Sequence, residues 1–180
     1  HPQAVVELKA NDKAQLLKML EGRGKKVRTF FHDTEIRRLL DRNKRYMENS
    51  VSEKVVSHHH VNIIVPKGYR MATDTSHFAW INHETPENYQ GVFVYYEDYL
   101  DTADFKREHI LAMRDKYLKK YVPGPSPQSY MTTDHNTPMQ DTIIDFKGRY
   151  TKEIRGLWRV EGDFMGGPFL SYTFVDEYRT

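Results

Sequence analysis

The sequence contains no cysteine, and this absence excludes several kinds of functional site. Disulfide bonds, thiolate nucleophiles and sulfur-ligated metal centres all require a cysteine side chain. Long apolar runs are also missing, since no stretch approaches the roughly 20 residues of a membrane-spanning helix. The chain has no Gly-x-Ser-x-Gly, no His-Glu-x-x-His and no phosphate-binding glycine loop followed by lysine. The sequence therefore identifies no candidate catalytic residue.

Neither sign of charge dominates the chain. It carries 27 basic and 25 acidic residues, a net charge of +2, which is too even to predict nucleic-acid binding over the whole surface. Apolar residues make up 38% and charged residues 29%, as in globular proteins rather than disordered ones. The 12 Tyr, 9 Phe and 2 Trp suit either broad packed sheet faces or a contact surface, and composition alone does not separate the two.

Periodic apolar positions predict three main helices and several strands. Gly22 and Gly24 predict a break or a bend in the first helix, and Asp33 predicts the start of the second. Strands joined by hairpins, without regular strand–helix alternation, predict a single α+β domain over residues 1–180, with mostly antiparallel sheets and the three helices packed on one side. The helices are expected near residues 12–27, 33–49 and 101–121, and the strands at residues 5–8, 61–65, 78–81, 91–96, 144–160 and 170–174.

Four motifs in the last third of the chain carry a family resemblance. They are Pro123-Gly124-Pro125, Tyr130–Asp134, Glu153–Trp158 and Gly162–Phe169. In this order they resemble a lipoprotein family of Bacteroidetes, the domain-of-unknown-function family 4837, whereas the earlier part of the chain matches in element order and length. The resemblance implies a fragment of a longer cell-envelope protein, held at the periplasm or outer membrane by a lipid anchor absent from this chain. It implies no catalytic residue and no cofactor.

The glycine-rich run Gly162–Pro168 is predicted to be a hairpin loop and is the main candidate binding site. Phe164 and Met165, the apolar residues in the loop, either fold back to cap the core or are presented to a partner. On the preceding strand, alternation places the arginines opposite Trp158, where they either line a groove or stay solvated. The predicted binding residues are Arg155, Arg159, Asp163, Phe164 and Met165.

The run His58-His59-His60 is the candidate metal site. On a strand, His58 and His60 would share a face, which is an acceptable arrangement for two ligands of one ion. The alternative is a solvated or edge position with no metal, which is common for adjacent histidines. The sequence contains no extended metal-binding motif that would support this pair of histidines.

The stretch Arg23–Arg45 holds nine basic residues against three acidic ones. It is interpreted as the solvated face of an amphipathic helix pair. The alternative is a surface that contacts phosphates, lipid headgroups or an acidic partner. Nucleic acid is the weakest of these, because no aromatic residues alternate with the charges.

The favoured function from sequence is a non-enzymatic cell-envelope module that binds another protein, a glycan or a lipid. It would need no cofactor and would not bind nucleic acid, and it would reach the membrane only through the absent lipid anchor. Two alternatives stay open: an envelope enzyme of hydrolase type whose site is incomplete in this fragment, and a metal-binding domain built on His58 and His60.

Overall fold

The fold of this chain is α+β, with three α-helices and two antiparallel sheets, as the sequence predicts. A computed structural model describes residues 3–86 and 88–176. The described residues divide into two compact units, one of residues 3–70, 82–86 and 88–90 and the other of residues 71–81 and 91–176. The single domain expected over residues 1–180 stays a prediction.

The elements follow one another with short connections. In chain order they are α1 (Lys13–Arg45), α2 (Asn49–His59), β1 (Arg70–Asp74), β2 (Phe78–Glu84), β3 (Tyr89–Tyr95), α3 (Arg107–Tyr121), β4 (Tyr130–Thr133), β5 (Gln140–Phe146), β6 (Arg149–Glu161) and β7 (Gly166–Thr173). A 3₁₀ turn, Thr102–Phe105, precedes α3. No helix in the described ranges is long and apolar enough to cross a membrane.

Helix α1 is continuous, so the helix does not break at Gly22 and Gly24, and the predicted new start at Asp33 is wrong. The alternative of a bend at the glycines stays a prediction. The helix begins after Asp12, whose carboxylate accepts a hydrogen bond from the Gln15 amide at 2.7 Å. A glycine inside a helix costs only about 1 kcal/mol relative to alanine, which weakens a helix without ending it. No described side chain of α1 is buried.

Helix α2 forms in a segment for which the sequence analysis predicted no regular structure. Its buried side includes Val51, Val55 and His59, spaced four residues apart. The following residues 61–65 form no strand, and neither do residues 5–8, so both strand predictions are wrong. Segment 61–65 is held instead by Val65, which donates its amide to the Ser52 hydroxyl at 3.2 Å and accepts the Glu48 amide at 2.9 Å.

The three-stranded sheet has the order β1-β2-β3, and the sequence predicted β2 and β3 but missed β1. Phe78 in β2 is completely buried and lies at the centre of an aromatic cluster. Its ring stacks on Tyr121 with the centroids 5.0 Å apart and on Tyr117 at 5.7 Å. Phe93 and Tyr95 from β3 stack on it at 6.0 and 6.5 Å. These aromatic residues are therefore largely part of a packed core.

The four-stranded sheet is built around β6, which is paired along both edges. One edge pairs with β7 from Lys152 to Arg159, and the other pairs first with β5 and then with β4. The change of partner falls at Gly156, where an added Cβ would lie 2.8 Å from the Phe169 ring. Only glycine allows the neighbouring side chains to pack this close to the strand.

A two-residue turn at Lys147 and Gly148 divides the single strand predicted over residues 144–160 into β5 and β6. Both residues have positive φ, 57° and 82°, as expected for the tight hairpin turn that matches strand twist. Phe146 is paired with Arg149 and so shares its face of the sheet. The sequence analysis assumed that the alternation of faces continues from residue 144 to residue 160. The turn interrupts it.

Helix α3 packs on the face of the four-stranded sheet that carries Ile154. Ile110 and Leu111 form a buried cluster with Ile154, and Met139 and Phe169 pack against it. The preceding 3₁₀ turn is capped by Asp101 and Asp104, and their side chains accept backbone amides of the turn and of the residues just before it.

Alanine in place of Gly22 or Gly24 is expected to stabilise α1 by about 0.5–1 kcal/mol, because alanine loses less backbone entropy in a helix. A methyl group at either position meets no atom within 4 Å. Gly148→Ala is the matched control: its site is equally open, but φ is +82°, so we expect a loss of about 1 kcal/mol. Far-UV circular dichroism during urea unfolding measures each change. Lower helicity in Gly22→Ala would contradict a continuous helix.

Candidate functional site

Two loops meet at one end of the four-stranded sheet, and we call them together the two-loop surface. The first, residues 123–129, leads into β4, and the second, residues 162–165, connects β6 to β7. Tyr130 at the start of β4 is paired with Glu161 at the end of β6. Because the strands are antiparallel, this register places the loop before β4 beside the loop after β6.

The first loop is fixed by hydrogen bonds of its own. The Ser129 hydroxyl donates to the Ser126 carbonyl at 2.5 Å, and the Ser126 amide donates back to that hydroxyl at 3.0 Å. The Gly124 amide donates to the Ser129 carbonyl at 2.8 Å. A Cβ on Gly124 would lie 2.5 Å from Val160 Cγ1, so the loop can pack against β6 only with glycine there. The proline-containing loop is therefore held by hydrogen bonds within its own residues.

Asp163 joins the second loop to the first. Its carboxylate accepts the Ser126 hydroxyl at 2.6 Å and the Phe164 amide at 2.7 Å. The bond from Ser126, followed by those from the Phe164 and Met165 amides, lowers the pKa of Asp163 below its ordinary value. Asp163 thus positions the backbone of Phe164 through its negative charge.

The Phe164 side chain is 98% exposed, whereas Met165 is half-buried. Of the two alternatives given by the sequence, capping of the core does not hold for Phe164. The second loop closes below it with a 2.8 Å hydrogen bond from the Val160 amide to the Met165 carbonyl. An aromatic ring this exposed, on a loop this constrained, is available to a partner.

An open depression of about 700 Å³ lies along the first loop. The ammonium of Lys119 lies 5.0 Å from the centre of the Tyr130 ring in its wall. Ser126 also lines it, so the depression adjoins the loop that carries Phe164. Its lining offers two cations, one aromatic ring and several hydroxyl groups: Lys119, Lys120, Pro123, Pro125, Ser126, Pro127, Gln128, Ser129 and Tyr130.

The predicted arginines lie on the strand beside the second loop, and both are paired with acidic neighbours. Arg159 is adjacent to the loop, opposite Gly166, and forms an ion pair with Glu161. Arg155 lies four residues further along β6, about 13 Å away, and its Nε donates to Glu153 at 2.6 Å. The structure therefore brings Asp163, Phe164, Met165 and Arg159 together and separates Arg155 from them.

The strand that would have placed His58 and His60 on one face is not formed. His58 lies in the last turn of α2, and His60 is its C-cap with φ of 54°. The shared strand face assumed for this pair is therefore absent, and metal binding by His58 and His60 stays a prediction. Among residues 3–86 and 88–176, no group of three His, Asp or Glu side chains could hold a metal ion.

A second polar cluster, which the sequence analysis missed, joins α3 to the end of β4. Asp115 accepts both the amide and the hydroxyl of Thr133 at 2.7 Å, and its other oxygen lies 2.7 Å from His135 Nε2. Burial alone would raise the pKa of Asp115, but the hydrogen bonds from Thr133 and His135 and the positive charge of Arg114 lower it below its ordinary value. Asp115 is therefore held as a carboxylate.

Arg114 is the buried cation of this cluster, only 4% exposed. Its guanidinium donates to the Thr133 hydroxyl at 2.7 Å and lies 4.1 Å from the centre of the Phe169 ring. Burial lowers the pKa of Arg114, whereas Tyr95 and Asp115 oppose that shift. Burial disfavours the charged form of Tyr95 as well, and this raises the pKa of Tyr95 to about 12. The Thr133 hydroxyl, which accepts from Arg114 and donates to Asp115, links the opposite charges.

One signal in the sequence could have revealed this cluster. The buried side of α3 consists of Ile110, Leu111, Arg114, Tyr117 and Leu118, so an arginine occupies the centre of an otherwise largely apolar stripe. A charge in that position requires a buried partner, and the adjacent Asp115 was the obvious candidate. The contact between Ser126 and Asp163 left no such signal, because the residues are 37 positions apart.

Asp115→Asn is expected to destabilise the protein by about 1–3 kcal/mol near pH 7, because it removes the charge that compensates buried Arg114. The folded pKa of Asp115 lies below its ordinary value of 3.8. The stabilisation is therefore complete above that value and is lost as the pH falls below it. Urea unfolding of wild type and variant at about pH 7 and about pH 3 should show the difference shrinking in acid.

Asp98→Asn serves as the control, because it removes the same charge from an exposed position. It should change the free energy of unfolding by less than about 0.5 kcal/mol at either pH. An Asp115→Asn variant as stable as the wild type near neutral pH would show that Arg114 does not depend on this carboxylate.

Comparison with known protein families places most of the chain in a described family. The sequence model of a family described as Domain of unknown function (DUF4837) matches residues 48–180. No curated protein and no solved structure matches the chain significantly. The match begins immediately before α2 and includes the two-loop surface and the Arg114 cluster. The chain therefore belongs to the DUF4837 family.

Proposed function

We propose that this protein is a non-enzymatic binding module of the cell envelope that holds a protein partner at the two-loop surface. The observation that carries the proposal is Phe164, which is 98% exposed on a loop fixed by Asp163 and Ser126. An aromatic side chain on a prearranged backbone loses little entropy on binding and is typical of the residues that dominate protein interfaces.

The surroundings of Phe164 support a protein partner over a small ligand. The loop projects from the end of a sheet, and the adjoining depression is open and lined by lysines, hydroxyl groups and prolines. Protein interfaces combine a central apolar anchor with a polar, partly solvated rim, and this surface provides both. Glycan and lipid remain the other classes that an exposed aromatic ring beside polar groups can bind.

The location belongs to the same proposal. The motifs in the last third of the chain resemble lipoproteins of Bacteroidetes, which supports a protein of the periplasm or outer membrane, tethered by a lipid anchor outside these residues. Family membership alone gives no activity. Two loops at the end of a sheet would be presented by such a tether without a role for the bilayer in recognition.

The alternative of a hydrolase-type enzyme has one supporting observation, the 2.7 Å contact between Asp115 and His135. A carboxylate that orients an exposed histidine is part of many acid–base sites. The hydroxyl group in contact with this pair belongs to Thr133, which is buried and already bonded to Arg114 and Asp115. That hydroxyl is not placed to act as a nucleophile, so the geometry favours a structural role for the pair.

Phe164→Ser is expected to abolish capture of the partner and to leave thermal stability unchanged, because the ring makes almost no contact within the chain. The measurement is affinity capture from solubilised cell envelope followed by mass spectrometry, with unfolding temperature measured in parallel. Leu100→Ser is the matched control, since Leu100 is 83% exposed elsewhere in the same unit. Equal capture by wild type and Phe164→Ser would refute the proposed site.

Ser126→Ala tests whether the loop is held in place for binding. Removing this hydroxyl takes away the 2.6 Å bond to Asp163 while Phe164 itself stays intact. We expect weaker partner binding by about three- to tenfold, since a mobile loop must be ordered when the partner binds. Titration calorimetry with the captured partner measures the change. Unaltered affinity would show that the link between the loops does not prepare Phe164 for binding.

A further inference from the structure

The positive charge of the protein is concentrated in α1. This helix contains 11 basic and four acidic residues, whereas the whole chain contains 27 and 25. The remaining residues therefore carry 16 basic and 21 acidic side chains. A helix of strong positive charge in an otherwise negative chain favours contact with an anionic surface through that helix.

The C-terminal part of α1 separates its charges from its apolar side chains, and we call residues 34–46 the basic segment. At about 100° per residue, the apolar positions Ile36, Leu39 and Leu40 span an arc of about 100°. These three side chains are each 37–44% exposed. The cations fall within a different arc of about 160°: Arg37, Arg38, Arg42, Lys44 and Arg45.

We propose that the basic segment docks on an anionic lipid bilayer, lying in the plane of the headgroups. Leu39 and Leu40 would enter the boundary of the acyl chains, while the cations remain at the level of the lipid phosphates. A helix with cations on one side and leucine or isoleucine on the other is the usual form of such interfacial segments. The acidic remainder of the chain would be repelled by the same surface, which favours contact through α1.

Other occupants match the basic segment less well. Nucleic acid would pair with the cations and leave Ile36, Leu39 and Leu40 in water. A second copy of the helix would bring five cations against five of the same sign, with Glu35 and Asp41 as the acidic residues of the segment. Glu35 is also already bonded to Arg38 at 3.2 Å. A bilayer with anionic headgroups accommodates both sides of the segment.

The N-terminal part of α1 is not included in the proposed contact. Its apolar residues lie on the other side of the helix, and Val27, for example, projects about 180° from Ile36. A membrane that receives Ile36, Leu39 and Leu40 cannot contact that stripe at the same time. Lys13 and Arg23 project within about 40° of Val27, away from Ile36, and therefore provide a matched control within the same helix.

The test uses the full 180-residue chain and co-sedimentation with vesicles of one part phosphatidylglycerol to two parts phosphatidylcholine. Arg37→Gln with Arg42→Gln, the cations on either side of the apolar arc, should weaken partitioning by roughly 30-fold, because each basic residue near such a surface contributes about fivefold. Leu39→Ser with Leu40→Ser should also weaken it by at least tenfold. Lys13→Gln with Arg23→Gln removes the same charge from the opposite side of α1 and should change partitioning by less than about threefold.

Circular dichroism checks that each variant keeps its helix, which is expected because α1 buries no side chain. Binding that requires phosphatidylglycerol and is lost in both segment variants supports the proposal. Binding to pure phosphatidylcholine vesicles at equal strength, or an equal loss in the Lys13→Gln, Arg23→Gln control, would overturn it. Retention by polyglutamate with no binding to the anionic vesicles would also overturn it and would assign the segment to an acidic protein partner.

Discussion

The pairing of β6 along both edges is the constraint on which the four-stranded sheet depends. A strand of 13 residues forms ladders with β4, β5 and β7, so its register determines where each neighbour begins and ends. Because Tyr130 is opposite Glu161, the loop before β4 lies beside the loop after β6, and Ser126 reaches Asp163. Gly156 allows the change of partner from β5 to β4. The candidate binding surface is thus a consequence of strand register.

The features that point to function are those that folding leaves uncovered. The interior of the second unit stacks four aromatic rings on Phe78 and neutralises Arg114 with Asp115. Phe164 and the apolar side of the basic segment have no such role in the described structure. Exposing large apolar groups costs free energy that a binding partner recovers. The family match covers Phe164 but not α1, so the basic segment lies outside the part of the chain that the family model describes.

The fold class and several elements could be predicted from sequence, and the errors have physical causes. The stop of α3 before Pro123 and the strands β2, β3 and β7 follow from local rules that need no tertiary information. Residues 61–65 have the composition of a strand, but a strand also needs a neighbouring strand, and Val65 bonds to Ser52 and Glu48 instead. In α1, the penalty of each glycine was too small to end the helix.

The sequence by itself determined that Phe164 and Met165 lie in a hairpin loop, that no cysteine chemistry is possible, and that the chain is α+β. These properties depend on residue type and on short-range periodicity. Only the tertiary structure decided that Phe164 is exposed and that Asp163 fixes its loop through Ser126. It also decided that Arg114 is compensated by Asp115 through Thr133. Such contacts join residues far apart in the chain, and their formation depends on strand register and packing, which no local pattern encodes.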